Sequence, residues 1–193
     1  MITSKLIAHR IVVAQSIQLS NRAIDELASI LICTELKKGD IFLSEGQIST
    51  QMCYVYKGLV RQFYYKKNRD LTEHFSCENQ MFICIDSFLR QRPTNLLVEA
   101  LENTTLYGIP HDPLIKLASE DYEIEQMYRC LLENSLILSQ KKMDSLRLEN
   151  ANERYTRLLK ENPEIILRAP LSHVASYLFM TPETLSRVRA AKQ

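Results

Sequence analysis

Glycine is scarce in this sequence, with four in 193 residues. Neither a phosphate-cradling G-x-x-x-x-G-K-[ST] nor a nucleophile-bearing G-x-S-x-G occurs. Metal-ligand spacing is missing as well. The five cysteines (Cys33, Cys53, Cys77, Cys84 and Cys130) include no C-x-x-C, and the four histidines lie far apart with no H-x-H. A metal enzyme on a cupin-like barrel, which needs two His on one strand face plus a carboxylate, is not expected. Nor is an iron–sulfur cluster, since no cysteine precedes Cys33. The cysteines read as free thiols of a reducing cytosol, the alternative being a disulfide framework.

Long apolar runs are also absent. No window approaches the roughly 18 uninterrupted apolar residues of a membrane span. The N-terminal MITSKLIAHRIVVAQSIQL is interrupted by Lys5, His9, Arg10, Gln15 and Gln18, with no small-residue cleavage site after it. A cytoplasmic protein with no membrane partner is expected. No charge dominates, because 24 Lys and Arg against 23 Asp and Glu leave +1. The balance shifts along the chain, however: residues 1–150 carry 17 basic and 19 acidic groups, and residues 151–193 carry 7 and 4. The C-terminal segment is mildly basic, as a surface facing a polyanion would be, and as many solvated surfaces are.

What is present is a change of pattern. Ser20 stands where it can cap a helix through NRAIDELASIL, with Ile24, Leu27, Ala28 and Leu31 at helical spacing. From Leu36, the stretch LKKGDIFLSEGQISTQMCYVYKGLVRQFYYKKNRDLTEHFS is a series of short β-branched and aromatic runs broken at Gly39, Gly46, Gly58 and KKNRD. This predicts antiparallel strands joined by tight turns whose φ > 0 retains those glycines. A second β stretch, TNLLVEALENTTLYGIP, runs to Pro110.

From Tyr122 to about Leu148 the periodicity is helical. Leu132, Leu136, Ser139, Met143 and Leu146 recur at four-three-four-three spacing, and Ile124, Leu131 and Leu138 make a second line. A helix of roughly 25 residues spans nearly 40 Å. Two apolar lines let it pack on its own β domain and on a partner helix, with Leu132, Leu136, Met143 and Leu146 as the dimer contacts; one wide core-facing stripe is the alternative. ANERYTRLLKEN then reads as a helix stopped at Pro163, and PEIILRAP as a linker.

The final stretch, LSHVASYLFMTPETLSRVRAAKQ, reads as two short helices. Leu171, Val174, Ala175 and Leu178 form the buried face of the first. Thr181 caps the second, with Pro182 at its first position and Glu183 in its first turn, and Leu185 and Val188 face inward. Small Ala175 suits the point where two such helices cross. Glu183, Thr184, Ser186, Arg187, Arg189 and Lys192 are left outward.

This pattern resembles the helix-turn-helix of the CRP/FNR family of bacterial transcription regulators. TPETLSR is similar to the family's recognition-helix start, and Glu183, Ser186 and Arg187 resemble the E-x-x-S-R of its FNR branch. The spacing of Gly39, Gly46 and Gly58, followed by a long helix, resembles the family's β-roll sensor and dimer helix, so the likeness covers nearly the whole chain. The resemblance implies that the protein binds double-stranded DNA as a homodimer on a palindromic operator and contacts RNA polymerase. Arg187 would donate to guanine O6 and N7, and Glu183 would accept from cytosine N4. Ser186 would reach a base edge or phosphate. Pro182 and Thr184 belong to the same helix start. Arg189, Lys192 and the N–H groups of the helix starting at Ser172 would hold backbone phosphates. Taken without that pattern, Glu183 and Arg187 fit an ordinary i,i+4 surface pair equally well. The chain departs from the family at the turn, where the usual left-handed Gly is Phe179. A bulky residue there costs roughly 1–2 kcal/mol if the geometry is kept, so either the turn is rebuilt or Phe179 is held against the linker.

A cyclic-nucleotide pocket is likewise implied, but its phosphate-binding cassette is degenerate. In MFICIDSFLRQRPTNLLVEA, Phe82 remains, whereas Ile83 and Cys84 replace the family's Gly and Glu. Counting back from Val98 and Ala100, Thr94 and Asn95 stand where the family has Arg and Ser, and Arg92 lies two residues too early. The charge-assisted phosphate contact and the ribose-accepting carboxylate are lost. This argues against cyclic AMP unless Arg90 or Arg92 swings in. Phe82, Cys84, Arg92, Thr94 and Asn95 remain the candidate lining for an unknown small-molecule effector, or for none. Haem on His9, His74 or His111 and a redox role for Cys84 stand as alternatives to ordinary polar histidines and an inert thiol.

The expected fold is therefore α+β. An antiparallel β-roll (double-stranded β-helix) flanked by helices occupies residues 1–120, a long dimerisation helix residues 121–149, and an all-α helix-turn-helix without a complete wing residues 150–193. The expected function is a non-enzymatic transcription regulator with no metal. The rival is a ligand-binding β-roll whose C-terminal helices dock protein instead of DNA.

Overall fold

The computed structural model describes residues 3–67 and 69–191. Helix α1 (Ser4–Ala14) is capped by Thr3, whose hydroxyl accepts from Leu6 N at 3.3 Å, and it buries Ile7, Ala8, Ile11 and Val12. Sequence reading gives no helix here. The reason is geometric: Lys5, His9 and Arg10, which break up the apolar run, all lie on the exposed face. Helix α2 (Asn21–Ile30) follows with Ser20 as its cap, as predicted, and buries Ala23, Ile24 and Leu27.

Eight strands form two four-stranded antiparallel sheets. In chain order they are β1 (Ile32–Leu36), β2 (Ile41–Leu43), β3 (Gln51–Lys57), β4 (Val60–Lys66), β5 (Arg69–Ser76), β6 (Met81–Phe82), β7 (Leu97–Ala100) and β8 (Thr104–Pro110), with a short helix α3 (Ile85–Arg90) between β6 and β7. One sheet runs β1-β8-β3-β6, the other β2-β7-β4-β5. Leu43, Cys53, Val55, Val60, Phe82, Cys84, Val98 and Leu106 fill the space between them. Gly39, Gly46 and Gly58 all have positive φ, as the turns require. Gly58, at +103°, is also sterically fixed: an added Cβ would lie 2.7 Å from Thr104 Cα, while its N–H donates to Glu78 Oε1 at 2.7 Å. This is the antiparallel β-roll expected.

Helix α4 (His111–Glu120) leads into α5 (Tyr122–Leu148), capped by Asp121, whose side chain accepts from Glu123 N at 2.7 Å. Ile124, Met127 and Leu131 bury against α1, α2 and the β1-β8-β3-β6 sheet. Past Leu131 the helix leaves that core, and Leu136 (67% exposed), Ile137, Leu138 and Met143 stand in solvent. The second apolar line is thus only half used, since Leu138 does not pack where Ile124 and Leu131 do. Among the described residues no helix is long and apolar enough to cross a membrane.

Helix α6 (Ala151–Glu161) opens with a capping box, Asn150 accepting from Glu153 N and Glu153 from Asn150 N. PEIILRAP is not an extended linker. Pro163 sits at the first turn of another helix, α7 (Pro163–Arg168), where its missing N–H costs nothing. Helices α8 (Leu171–Tyr177) and α9 (Pro182–Ala190) complete the described chain. Val174, Ala175 and Leu178 are buried as expected, but Leu171, on the same face at the first position of α8, lies beyond the apolar cluster and is 44% exposed.

The C-terminal helices do not stand apart from the roll. Leu59, Phe75, Cys77 and Leu101 of the roll pack in one cluster with Tyr155, Leu158, Ile165, Val174, Leu178, Leu185 and Val188. Helix α8 lies along β5: Ser176 Oγ accepts from Thr72 N at 2.9 Å and donates to Asp70 O at 3.2 Å, and the rings of Tyr177 and Phe75 meet edge-on at 5.3 Å. Arg168 clamps α7 to two turns of the roll, reaching Glu78 at 2.8 and 3.0 Å and Glu102 at 2.5 Å. Arg168→Ala leaves two part-buried carboxylates without their donor and should lower the unfolding free energy by about 1–3 kcal/mol. Denaturant unfolding measures this, and an unchanged midpoint would show that desolvation cancels the clamp.

Candidate nucleic-acid interface

Helices α8 and α9 meet through a turn that the sequence specifies almost atom by atom. Phe179 N donates to Ser176 O and Met180 N to Ala175 O, both at 3.0 Å, which closes α8. Thr181 Oγ1 accepts from Thr184 N at 3.2 Å to cap α9, and Pro182 occupies the first position. Ala175, with no exposed surface, lies in the apolar cluster that Val174, Leu178, Leu185 and Val188 form between the helices.

Glu183, Ser186 and Arg187 are exposed along the outer face of α9. The hydroxyl of Thr181, the backbone N–H groups of the helix start and the Arg187 charge hold the Glu183 carboxyl below its ordinary range. At neutral pH it is an anion pointed at solvent. Among the described residues Arg187 forms no ion pair with Glu183; its Nη2 donates to Thr184 Oγ1 at 3.3 Å. The two charges attract at i,i+4 without meeting at ion-pair distance among the described residues, so both groups keep open hydrogen-bonding sites. Thr184 departs from expectation. It is half-buried and committed to Thr181 and Arg187 instead of facing outward. Ser172 is exposed in the first turn of α8, which starts one residue earlier at Leu171, and Arg189 is half-exposed. Lys192 lies outside the described residues.

Phe179 keeps the left-handed turn, with φ +53°. The half-buried ammonium of Lys142 on α5 lies 5.8 Å from its ring and 5.5 Å from that of Tyr177. That ammonium is fixed by Glu73 of β5, through Oε1 at 2.7 Å and the backbone carbonyl. Burial lowers the Lys142 pKa, and the Glu73 carboxylate opposes the shift. One cation thus joins the long helix, the roll and the turn.

The five residues expected to line a ligand pocket do not converge. Phe82 and Cys84 are inside the roll, and burial pushes the Cys84 thiol up, against the hydrogen bonds from Gln62 and Ser49. Thr94 is buried in a turn, its Oγ1 accepting from Leu96 N at 3.0 Å, while Arg92 and Asn95 face solvent. Arg90 pairs with Asp86 at the surface instead of swinging inward. The roll's buried guanidinium is Arg61, already paired with Asp70 at 2.6 Å and Glu99 at 2.7 Å. A cavity of about 640 Å³ does exist, between β4, β5, β6, α5 and α6. Of the expected residues only Phe82 borders it, together with Gln62, His74, Leu131, Ser135 and Leu158. Sequence reading misses Gln62, which alternation along β4 places on the inner face. It takes His74 only as a haem candidate or an ordinary polar histidine, not as part of this lining. His9 is exposed on α1, and His111 Nδ1 lies 2.7 Å from Asp112. Among the described residues no three His, Cys, Asp or Glu gather as a metal site.

Comparison with known proteins places these features. Residues 33–121 match the family profile described as the cyclic nucleotide-binding domain. No curated protein sequence matches the chain. Its fold is that of CRP/FNR regulators of known structure. FixK2 from Bradyrhizobium japonicum superposes with a TM-score of 0.72 at 20% identity, over 84% of each chain. The c-di-GMP responsive global regulator CLP of Xanthomonas campestris gives 0.67 at 15% identity, over 90% of this chain and 92% of CLP. The catabolite activator protein of Thermus thermophilus gives 0.58 at 19% identity, over 92% and 85%.

Two measurements check this geometry. Phe179→Gly relieves left-handed strain but gives up the ring's attraction for Lys142 and adds unfolded-chain entropy, terms of about 1 kcal/mol each that nearly cancel. It should sit within about 1 kcal/mol of the parent, whereas Phe179→Val, β-branched in the same conformation, should cost about 2 kcal/mol. Equal losses would mean that the attraction between ring and ammonium dominates. His74 is the second case: burial, then the Lys142 charge, push its pKa down from 6.5 to about 4. The unfolded chain therefore takes up this proton first as pH falls. The parent should lose stability between about pH 6.5 and pH 4, by at most about 3 kcal/mol, and His74→Asn should remove that part of the slope while leaving stability above pH 7 nearly unchanged.

Proposed function

We propose that this protein is a sequence-specific DNA-binding transcription regulator of the CRP/FNR type that acts as a homodimer on a palindromic operator. The observation that carries the reading is the outer face of α9, where Glu183, Ser186 and Arg187 stand exposed, with neither charge paired to the other, on a capped helix crossing α8. In a major groove Arg187 donates to guanine O6 and N7, Glu183 accepts from cytosine N4, and Ser186 reaches a base edge or phosphate. Ser172 and Arg189 lie to the side, where contacts position the protein without specifying sequence.

Dimerisation is supported by α5, whose seam residues Leu136 and Met143 are exposed and whose Leu132 and Leu146 are only half-buried in the single chain. Pairing two such helices buries that seam and sets two heads about one DNA turn apart. The working division is a sensor over 1–120, a dimer helix over 121–149 and a DNA-binding head over 150–193. The protein performs no catalysis, works in the cytoplasm and passes its state to RNA polymerase. Its effector, where one acts, enters the cavity beside Gln62 and His74. Besides that amide and imidazole the cavity is bordered by Lys141, by Lys142 and Arg157, which are paired with Glu73 and Glu149, and by Arg154, which donates to backbone carbonyls. The roll's own Arg61 is saturated by carboxylates, so the charge-assisted phosphate contact of a cyclic-AMP cassette has no counterpart in the roll.

Selection of bound duplexes from a random pool is the direct test. Enrichment of a palindrome is expected, and Arg187→Ala should cost about 1–3 kcal/mol at one base pair of each half-site. Folded dimer that enriches no palindrome, or binding indifferent to Arg187, would overturn the reading in favour of a protein-docking module.

A further inference from the structure

The hairpin joining β4 and β5 carries Lys66, Lys67 and Arg69, all exposed and none with a side-chain partner among the described residues. Lys66 and Arg69 stand directly opposite in register, and like charges so placed destabilise a hairpin. The nearby acids do not relieve them. Asp70 is held by Arg61 at 2.6 Å, and Glu73 by Lys142 at 2.7 Å. Tyr65, 60% exposed, adds an aromatic ring to the tip, supported edge-on by Phe63 at 5.5 Å.

The position of this tip is set by the seam between roll and head. Along α8, His173 faces Asp70 at 3.9 Å, Ser176 binds Asp70 O and Thr72 N, and Tyr177 meets His74 and Phe75. Helix and strand therefore run the same way, and the N-terminal end of α8 points to the basic tip. In helix-turn-helix docking the first helix crosses the DNA backbone while the second enters the major groove. A cationic hairpin beyond the start of the first helix then lies over phosphates outside the groove that α9 reads.

We infer that the β4–β5 hairpin of the sensor, through Lys66, Lys67 and Arg69, is a second DNA-contacting element that grips backbone phosphates flanking the operator. The inference rests on the proposed DNA-binding role and extends it from the head to the roll. It explains why uncompensated cations face each other across a hairpin that the fold does not need charged. Contacts of this kind carry no base specificity; they add affinity, salt dependence and footprint length.

The test uses the full-length protein and the selected palindrome in two duplexes, one of about 20 base pairs with the core only and one of about 50 with flanks, titrated across salt concentrations. The parent should show a steeper salt slope on the long duplex. The triple variant Lys66→Gln, Lys67→Gln, Arg69→Gln should reduce the long-duplex slope by about 1 for each phosphate it no longer holds and weaken binding there about threefold to thirtyfold, while binding the short duplex as the parent does. A control variant, Lys37→Gln with Lys38→Gln, removes exposed charge from another turn of the roll and should change neither. Equal slopes for parent and triple variant on the long duplex would overturn the inference, as would an equal effect of the control. So would unchanged DNA binding with lost recruitment of RNA polymerase, which assigns the tip to an acidic protein surface. The two readings fail separately: Arg187→Ala weakens both duplexes, and a parent that binds neither duplex sinks the DNA-binding role itself.

Discussion

The C-terminal helices cannot bury their own apolar faces, and the rest of the structure depends on how that shortage is met. Helices α6 to α9 span about 40 residues, near the size below which a single core is marginal. Leu59, Phe75, Cys77 and Leu101 of the roll complete the cluster around Tyr155, Leu158, Val174 and Leu185. The C-terminal helices therefore fold against the roll instead of beside it, and the outer edge of β5 becomes the platform on which α8 is laid. Thr72 N and Asp70 O would be unpaired groups of an edge strand; Ser176 satisfies both through one hydroxyl.

Polar contacts then fix the orientation that apolar burial leaves free. Arg168 reaches two separate turns, Glu78 and Glu102, and Glu78 in turn accepts from Gly58 N, whose backbone has no room for a side chain. On the opposite flank Lys142 ties Glu73 to the rings of Tyr177 and Phe179. A left-handed Phe is tolerated there because the turn is held from outside: α8 is closed by the Met180 bond to Ala175, and α9 is started by the Thr181 cap. Strain persists where its surroundings over-determine it.

What is legible in the sequence is local. The span of α5 from Tyr122 to about Leu148 follows from its helical periodicity, and the β-turns from Gly39, Gly46 and Gly58. The start of α9 follows from Thr181 and Pro182. Helix α1 escapes because Lys5, His9 and Arg10 read as interruptions until they are placed on one face. PEIILRAP reads as a linker when proline is weighed as a stop, although Pro163 at a first turn is a start. The pocket fails for a different reason. Counting along one segment selects Phe82, Cys84, Arg92, Thr94 and Asn95, whereas the cavity is assembled by Gln62 and His74 from one sheet with Leu131 and Leu158 from distant helices. No local pattern carries such long-range pairings. The β5–α8 seam is of the same kind, because Ser176 and Thr72 are 104 residues apart in sequence.

The same arrangement bears on how sensing would reach DNA. Helix α5 is packed on the roll through Ile124, Met127 and Leu131, leaves Leu136 and Met143 exposed, and near its C-terminal end holds the turn through Lys142. The cavity opens between these stretches, bounded by α5, by β5 and by Tyr177 and Leu178 at the end of α8. An occupant that moved α5 relative to β5 would stretch the Lys142–Glu73 contact and the Ser176 bonds together, since both anchor on the same strand. Packed interfaces respond to such displacement by switching between discrete arrangements more readily than by bending. The strand that borders the cavity is thus also the strand on which α8 rests, so under the proposed function a displacement of β5 would be carried to α9, whose contacts to base edges depend on hydrogen-bond geometry.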